Sequence, residues 1–334
     1  MNTKNLHLLR HWYLSVKKLS LGIAAVASLA VLSNGCSPAL PAPLPFEPFV
    51  RNAASVDLDR AMSGAVTVEV TPIFTGEISV DRSLLLDLAN PGLPEREDRK
   101  LWVPVMSYLV RHPKFGSVLL DCGFDVSAQS GHLNYGGLAV FFDITRQRAG
   151  GDLYSSLRTL GQSPDQLSLV ILSHLHGDHI SGMASMPPGV RVAAGPRALD
   201  EYEHLWFAPA DHLGNVGRLE TFDFASATNT ELGPTIDLFG DGSMLVIHSE
   251  GHTLENLSFL LQAHGGPLLL TFDASHTQEG FVHGVAPGKV KDRVKADASL
   301  RRLIGFAKKH PNLRVKAGHD ASDWDLTKSL QDRL

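Results

Sequence analysis

The sequence predicts an α/β fold, two sheets packed together with helices on the outside. Three observations carry that reading. Short strand-like segments, alternating or wholly apolar, come in runs with capped helical segments between them. The chain has 334 residues, 43% of them hydrophobic and 19% charged, enough to bury one large core or two modest ones. A dense cluster of ligand-type side chains, Ser173-His174-Leu175-His176-Gly177-Asp178-His179, follows a strand-like run at once. Loops at strand ends are where side chains converge on a ligand.

The chain opens with Lys4, Arg10, Lys17 and Lys18 and no acid, then an uncharged run from Leu19 to Leu32. That run is too short to span a bilayer as an ordinary helix, and a basic start before a short apolar core reads as an export signal. It ends in Leu32-Ser33-Asn34-Gly35-Cys36, which resembles the cleavage box of bacterial lipoproteins. The resemblance implies a signal peptide over residues 1–35, lipid modification at Cys36, and a periplasmic or outer-membrane location for an exported, tethered protein. Five prolines between Pro38 and Pro48 predict an extended spacer, so that 36–60 is a Pro-rich linker and 61–334 the globular domain.

Within that domain, Val66 to Val70 alternates as a half-buried strand does. Leu101 to Arg111 and Ser117 to Asp121 are strands flanking a hairpin turn at 112–116. Asp152 caps a helix with Leu153, Leu157 and Leu160 on one face, closed by Gly161. Leu167 to Leu172 is the strand that leads into the His cluster. Met244 to His248, Ser258 to Leu261, Leu268 to Phe272 and Val315 to Ala317 are further strands. Asp297 is expected to cap a helix with Leu300, Leu303, Ile304 and Ala307 inward, ended by His310-Pro311. Leu138 to Phe142 is an apolar stretch that fits either plain core or the lining of an acyl pocket.

Charge and cysteine usage exclude several functions. The formal charge is −5; without residues 1–35 it becomes −9, from 26 basic and 35 acidic residues. An acidic chain disfavours a nucleic-acid partner. The two cysteines are Cys36 and Cys122. If Cys36 is acylated no internal disulfide can form, and no thiolate metal cluster is available. A serine nucleophile elbow is absent from the sequence.

The His cluster carries the chemistry. Positions two apart in extended backbone point the same way, so His174 and His176 can grip one ion while Asp178 and His179 turn to a second. Imidazole and carboxylate suit zinc, iron, manganese or cobalt. Further ligands must come from elsewhere. His252, Asp273 and His319 each lie shortly after a predicted strand.

This pattern resembles the metallo-β-lactamase superfamily, whose hallmark is His-x-His-x-Asp-His followed by separate His, Asp and His ligands. The resemblance covers roughly residues 65–325. It implies an αβ/βα sandwich, two packed mixed sheets with outer helices, and a site at the edge between the halves. It implies His174, His176 and His252 on one metal, Asp178, His179 and His319 on another, and Asp273 bridging both. Within that superfamily the segments resemble the N-acyl homoserine lactonases. The shared pieces are Ser173 to His179, Gly251-His252-Thr253, Asp273-Ala274-Ser275-His276 and Gly318-His319-Asp320, with Gly161 to Leu172 and Trp102 to Val105 in support.

The resemblance implies a hydrolase with two divalent ions, Zn2+ first among them, opening the lactone ring of an acylated homoserine lactone. The partner would be that small molecule, with membrane contact through the lipid anchor only. Asp178 would move a proton to the leaving oxygen. One departure is specific: the lactonases place Tyr where this chain has His276, and that Tyr hydrogen-bonds the lactone carbonyl. His276 is expected to donate in its place. Simple lactones, phosphoric esters and β-lactams fit the same scaffold, and a metal-dependent surface binding protein is the non-catalytic alternative.

Overall fold

The computed structural model describes residues 40–50, 55–133, 145–204 and 210–320. The signal-peptide segment and the Leu138–Phe142 stretch lie outside the described residues. The first sheet is built from β1 (Ala42–Pro45), β2 (Glu69–Asp81), β3 (Lys100–His112), β4 (Gly116–Leu120), β5 (Thr145–Arg146), β6 (Leu167–Ile171), β7 (Val192–Ala194) and β8 (Arg218–Thr221). Their order across the sheet is β1-β8-β7-β6-β4-β3-β2-β5. The second is built from β9 (Thr228–Thr230), β10 (Gly233–Asp237), β11 (Met244–His248), β12 (Leu257–Ala263), β13 (Gly266–Phe272) and β14 (Arg314–Ala317), in the order β14-β13-β12-β11-β10-β9. Both are mixed, with β4, β6, β7 and β8 parallel in the first and β13 with β14 parallel in the second.

The two-residue period of the strands explains why the sheets stack. Met106, Tyr108 and Val110 of β3, with Val118 and Leu120 of β4, point into one core shared with Val246, Phe259, Leu261, Leu268 and Leu270 of the second sheet. The intervening Leu109 and Leu119 point the other way, onto α3 (Leu153–Thr159) through Leu153 and Leu157. Leu245, Ile247, Leu260 and Leu269 likewise face α7 (Arg293–Lys309) through Leu300, Leu303 and Phe306. Helix, sheet, sheet, helix is therefore the layering, as the sequence predicts.

Two expectations are corrected. The Pro-rich segment is not a free spacer: β1 pairs in parallel with β8, Ala42 opposite Arg218 through Pro45 opposite Thr221. The Phe46 N–H donates to the Thr221 carbonyl at 3.0 Å. Even-numbered residues thus face β8, and Pro43 and Pro45 sit with their missing N–H on the open side of an edge strand, where proline is tolerated. Phe46 then packs on Phe222, and Phe49 on Phe115 and Phe239. The second correction concerns α7, which starts earlier than expected. Asp292 is its cap, accepting from the Lys295 N–H, and Asp297 lies one turn inside. Asp152 caps α3 as predicted, accepting from the Ser155 N–H.

Candidate metal centre

The site lies where the carboxyl ends of β4, β6, β11, β13 and β14 meet. His174 and His176 occupy the loop after β6; Asp178 and His179 belong to the single turn Gly177–Ile180. His252 is in the loop between β11 and β12, Asp273 follows β13, and His319 follows β14. Seven residues from four separate segments are thereby brought together, all those the sequence marks as ligands.

Their atoms form two groups sharing one carboxylate. In the first, His176 Nδ1 lies 2.9 Å from His174 Nε2 and 3.1 Å from His252 Nε2. Asp273 Oδ2 lies 3.5 Å from His174 Nε2 and 3.2 Å from His252 Nε2. In the second, Asp273 Oδ1 lies 3.5 Å from His179 Nε2 and 3.4 Å from His319 Nε2, while Asp178 Oδ2 lies 3.7 and 3.5 Å from the same nitrogens. A tetrahedral ion with bonds near 2.0–2.1 Å holds its ligand atoms about 3.3–3.4 Å apart. The spacing matches.

The donor set also needs a cation. One proton cannot satisfy three ring nitrogens that converge on one point. His179 Nε2 and Asp273 Oδ1 are buried without a hydrogen-bond partner among the described residues, a costly state unless something binds them. Divalent metal ions fit these residues, in the groupings His174, His176, His252, Asp273 and Asp178, His179, His319.

Outer contacts aim the rings. Asp121, fully buried at the end of β4, accepts from His179 Nδ1 at 2.6 Å and from both the backbone N–H and the hydroxyl of Ser173, each at 2.6 Å. His319 Nδ1 donates to the Pro104 carbonyl at 3.0 Å. Each bond puts the ring's proton on Nδ1 and leaves Nε2 free as a ligand atom. Sequence reasoning missed Asp121, which it read only as a strand terminus before Cys122. The signal was present: an acid closing an apolar strand is a buried charge in need of a partner. Cys122 is buried, and burial raises its thiol well above the usual range.

The backbone is strained to hold this arrangement. Asp121 and Phe272 adopt φ of 55° and 44°, in the left-handed region, a cost of about 1–3 kcal/mol each. Position 318 must be glycine, because a Cβ there would stand 2.6 Å from Asp273 Oδ1 and 2.9 Å from the Phe272 carbonyl.

The electrostatics divide the two groups. Burial, and then His179, pushes His174 well below the ordinary histidine value. Burial, and then His252, pushes His176 down to about 3. Burial lowers His252 against the pull of Asp273. In the second group burial is overcome: Asp273, Asp178 and Asp121 carry His179 well above its ordinary value, and Asp273 raises His319. Burial would raise the Asp178 carboxyl, but His179 and His319 hold it below the usual carboxylate value.

A cavity of about 450 Å³ opens over the ligands. Ile78, Val80, Leu84, Leu85 and Val103 form an apolar wall. Glu201, Thr253, Glu255, Lys289 and Lys291 form a polar one. Thr253, which closes the shared Gly251-His252-Thr253 segment, has a buried hydroxyl with no hydrogen-bond partner among the described residues. His276 also lines the cavity, with Nδ1 3.2 Å from the Leu85 carbonyl and Nε2 3.1 Å from Asp273 Oδ2.

With this geometry in place, similarity decides the family. The profile of the Metallo-beta-lactamase superfamily matches residues 101–328. The chain belongs to that superfamily. The N-acyl homoserine lactonase AiiA of Bacillus thuringiensis subsp. kurstaki is 30% identical over 249 residues, covering 73% of this chain and 90% of AiiA. The N-acyl homoserine lactonase AttM of Azorhizobium caulinodans is 28% identical over 235 residues, covering 66% of this chain and 84% of AttM. A solved N-acyl homoserine lactone hydrolase, holding N-hexanoyl-L-homoserine at its catalytic metal centre, shares the fold with a TM-score of 0.62 at 24% identity. That match covers 79% of this chain and 96% of the other. Superfamily membership, the paired donor groups and the cavity make this chain a metal-dependent hydrolase, homologous to the N-acyl homoserine lactonases.

Proposed function

We propose that the protein opens the lactone ring of N-acyl homoserine lactones at a site holding two divalent ions, Zn2+ first among the candidates. The observation that carries this reading is the split of Asp273, whose two oxygens face two separate groups of imidazoles. The names of the AiiA and AttM relatives supply the substrate class, and the apolar wall offers a place for an acyl chain beside the ligands. Divalent ions bound there lower the pKa of water and polarise a carbonyl.

The chain's own residues supply the rest. Asp178 is held ionised, its carboxylate at the cavity edge with 18% side-chain exposure. It can accept the proton of the attacking water and pass it to the ring oxygen as that bond breaks. The Thr253 hydroxyl, buried and unsatisfied, can bond a carbonyl or amide of the bound acyl group. Export and attachment through Cys36 belong to the same proposal, supported by the basic, then apolar, start of the chain.

A substrate panel tests the reading: short- and long-chain acyl homoserine lactones, simple lactones, a cephalosporin and a phosphotriester. Acyl homoserine lactones should be turned over best. Efficient hydrolysis of another member with these lactones untouched would retire the substrate assignment while leaving the metal site standing. Loss of membrane attachment on Cys36→Ser substitution would support the anchor, and unchanged attachment would remove it.

A further inference from the structure

We infer that His276 is an eighth metal ligand, bound through Nε2 beside Asp273, and not a hydrogen-bond donor to the substrate carbonyl. The inference rests on the two-metal reading. His276 and His319 are wired alike. Each ring places Nδ1 against a backbone carbonyl, Leu85 for His276 at 3.2 Å and Pro104 for His319 at 3.0 Å. A carbonyl has no hydrogen to give, so Nδ1 carries the proton of the neutral ring. Nε2 is then a lone pair. In both rings that lone pair faces an Asp273 oxygen, Oδ2 at 3.1 Å for His276 and Oδ1 at 3.4 Å for His319.

For the neutral ring, two lone pairs at that distance repel unless a metal ion lies between them. The His276 spacing matches the 3.2 Å from His252 Nε2 to the same oxygen. Asp273, His276 and His319 also form a metal-capable group in their own right, and all three are buried. A donor to a substrate carbonyl would need its hydrogen on Nε2, the nitrogen this wiring leaves bare. The eighth ligand gives one ion more protein ligands than a tetrahedral zinc site uses. That calls for an ion that accepts five protein ligands, which zinc does by expanding its tetrahedral shell and cobalt, manganese or iron do readily.

The test uses the full chain loaded with Co(II), as wild type, His276→Phe and His276→Gln. Chelator competition measures affinity, and X-ray absorption measures imidazole scattering around the metal. Either variant should release one ion at least about tenfold more readily, with reduced imidazole scattering and an altered visible spectrum. The glutamine variant keeps the test open if the phenylalanine chain does not fold. Two ions held with wild-type affinity and spectrum in both variants, while lactone turnover falls, would overturn this inference alone and make His276 a donor to substrate. A wild-type chain holding a single ion would overturn the two-metal reading and this inference with it.

Discussion

Asp121 touches no expected metal position, yet three hydrogen bonds converge on it, two from Ser173 and one from His179. It sets the tautomer of His179 and anchors the start of the ligand loop through Ser173. Asp121→Asn should therefore weaken metal binding by about 10–100-fold, measured by chelator competition; unchanged affinity would leave Asp121 a purely structural acid. The two ligand groups also differ in their demand for protons. His179 and His319 hold protons more tightly than an ordinary histidine, whereas His174, His176 and His252 hold them less tightly. As pH falls, protons should compete with a bound ion at His179 and His319 before they do so at the other three rings. On the proposed two-ion reading, the ion beside Asp178 should then leave first, and metal content should fall in two steps. Release of both ions in one step would contradict the division.

Among the elements, α7 seals the outer face of the second sheet with Leu300, Leu303 and Phe306. Leu303 is fully buried, so Leu303→Ala should cost about 2–5 kcal/mol of stability. Urea unfolding checks this, with metal content of the folded protein unchanged. The elements most legible in the sequence are those whose period is clean, such as β3, β4, β6 and β11 to β13. The limits of β2 were hidden by a register shift between Phe74 and Gly76 that breaks its alternation. β7 to β10 are three to five residues long, too short for a period to show. The start of α7 was obscured because its first turn, Arg293 to Lys295, is polar on all sides apart from Val294, which is exposed. The ligands themselves were legible because each pairs a scarce residue type with a strand end. Asp121 was not, nor was the place of the Thr253 hydroxyl at the cavity, since both depend on contacts made only after the chain has folded.

Across the whole molecule, the reading of residues 36–60 as a linker gives way to a chain that is tied to the first sheet from residue 42 onward. Removing residues 1–36 should leave stability and metal content intact. Removing residues 1–50 strips β1 together with Phe46 and Phe49, and should cost roughly 1.5–3 kcal/mol from these two partly buried aromatic side chains alone. Equal thermal midpoints for the two truncations would show that β1 contributes nothing. The larger arrangement explains the chemistry: strands from both sheets end at one edge, and only their packing brings Asp273 between the ligands of the first half and those of the second. Mass analysis of the product from N-hexanoyl homoserine lactone, incubated with metal-loaded and chelator-stripped protein, tests that arrangement most directly. The metal-loaded protein should add one water to the lactone and the stripped protein should not. An unchanged lactone, with two ions per chain verified in the same sample, would contradict the account.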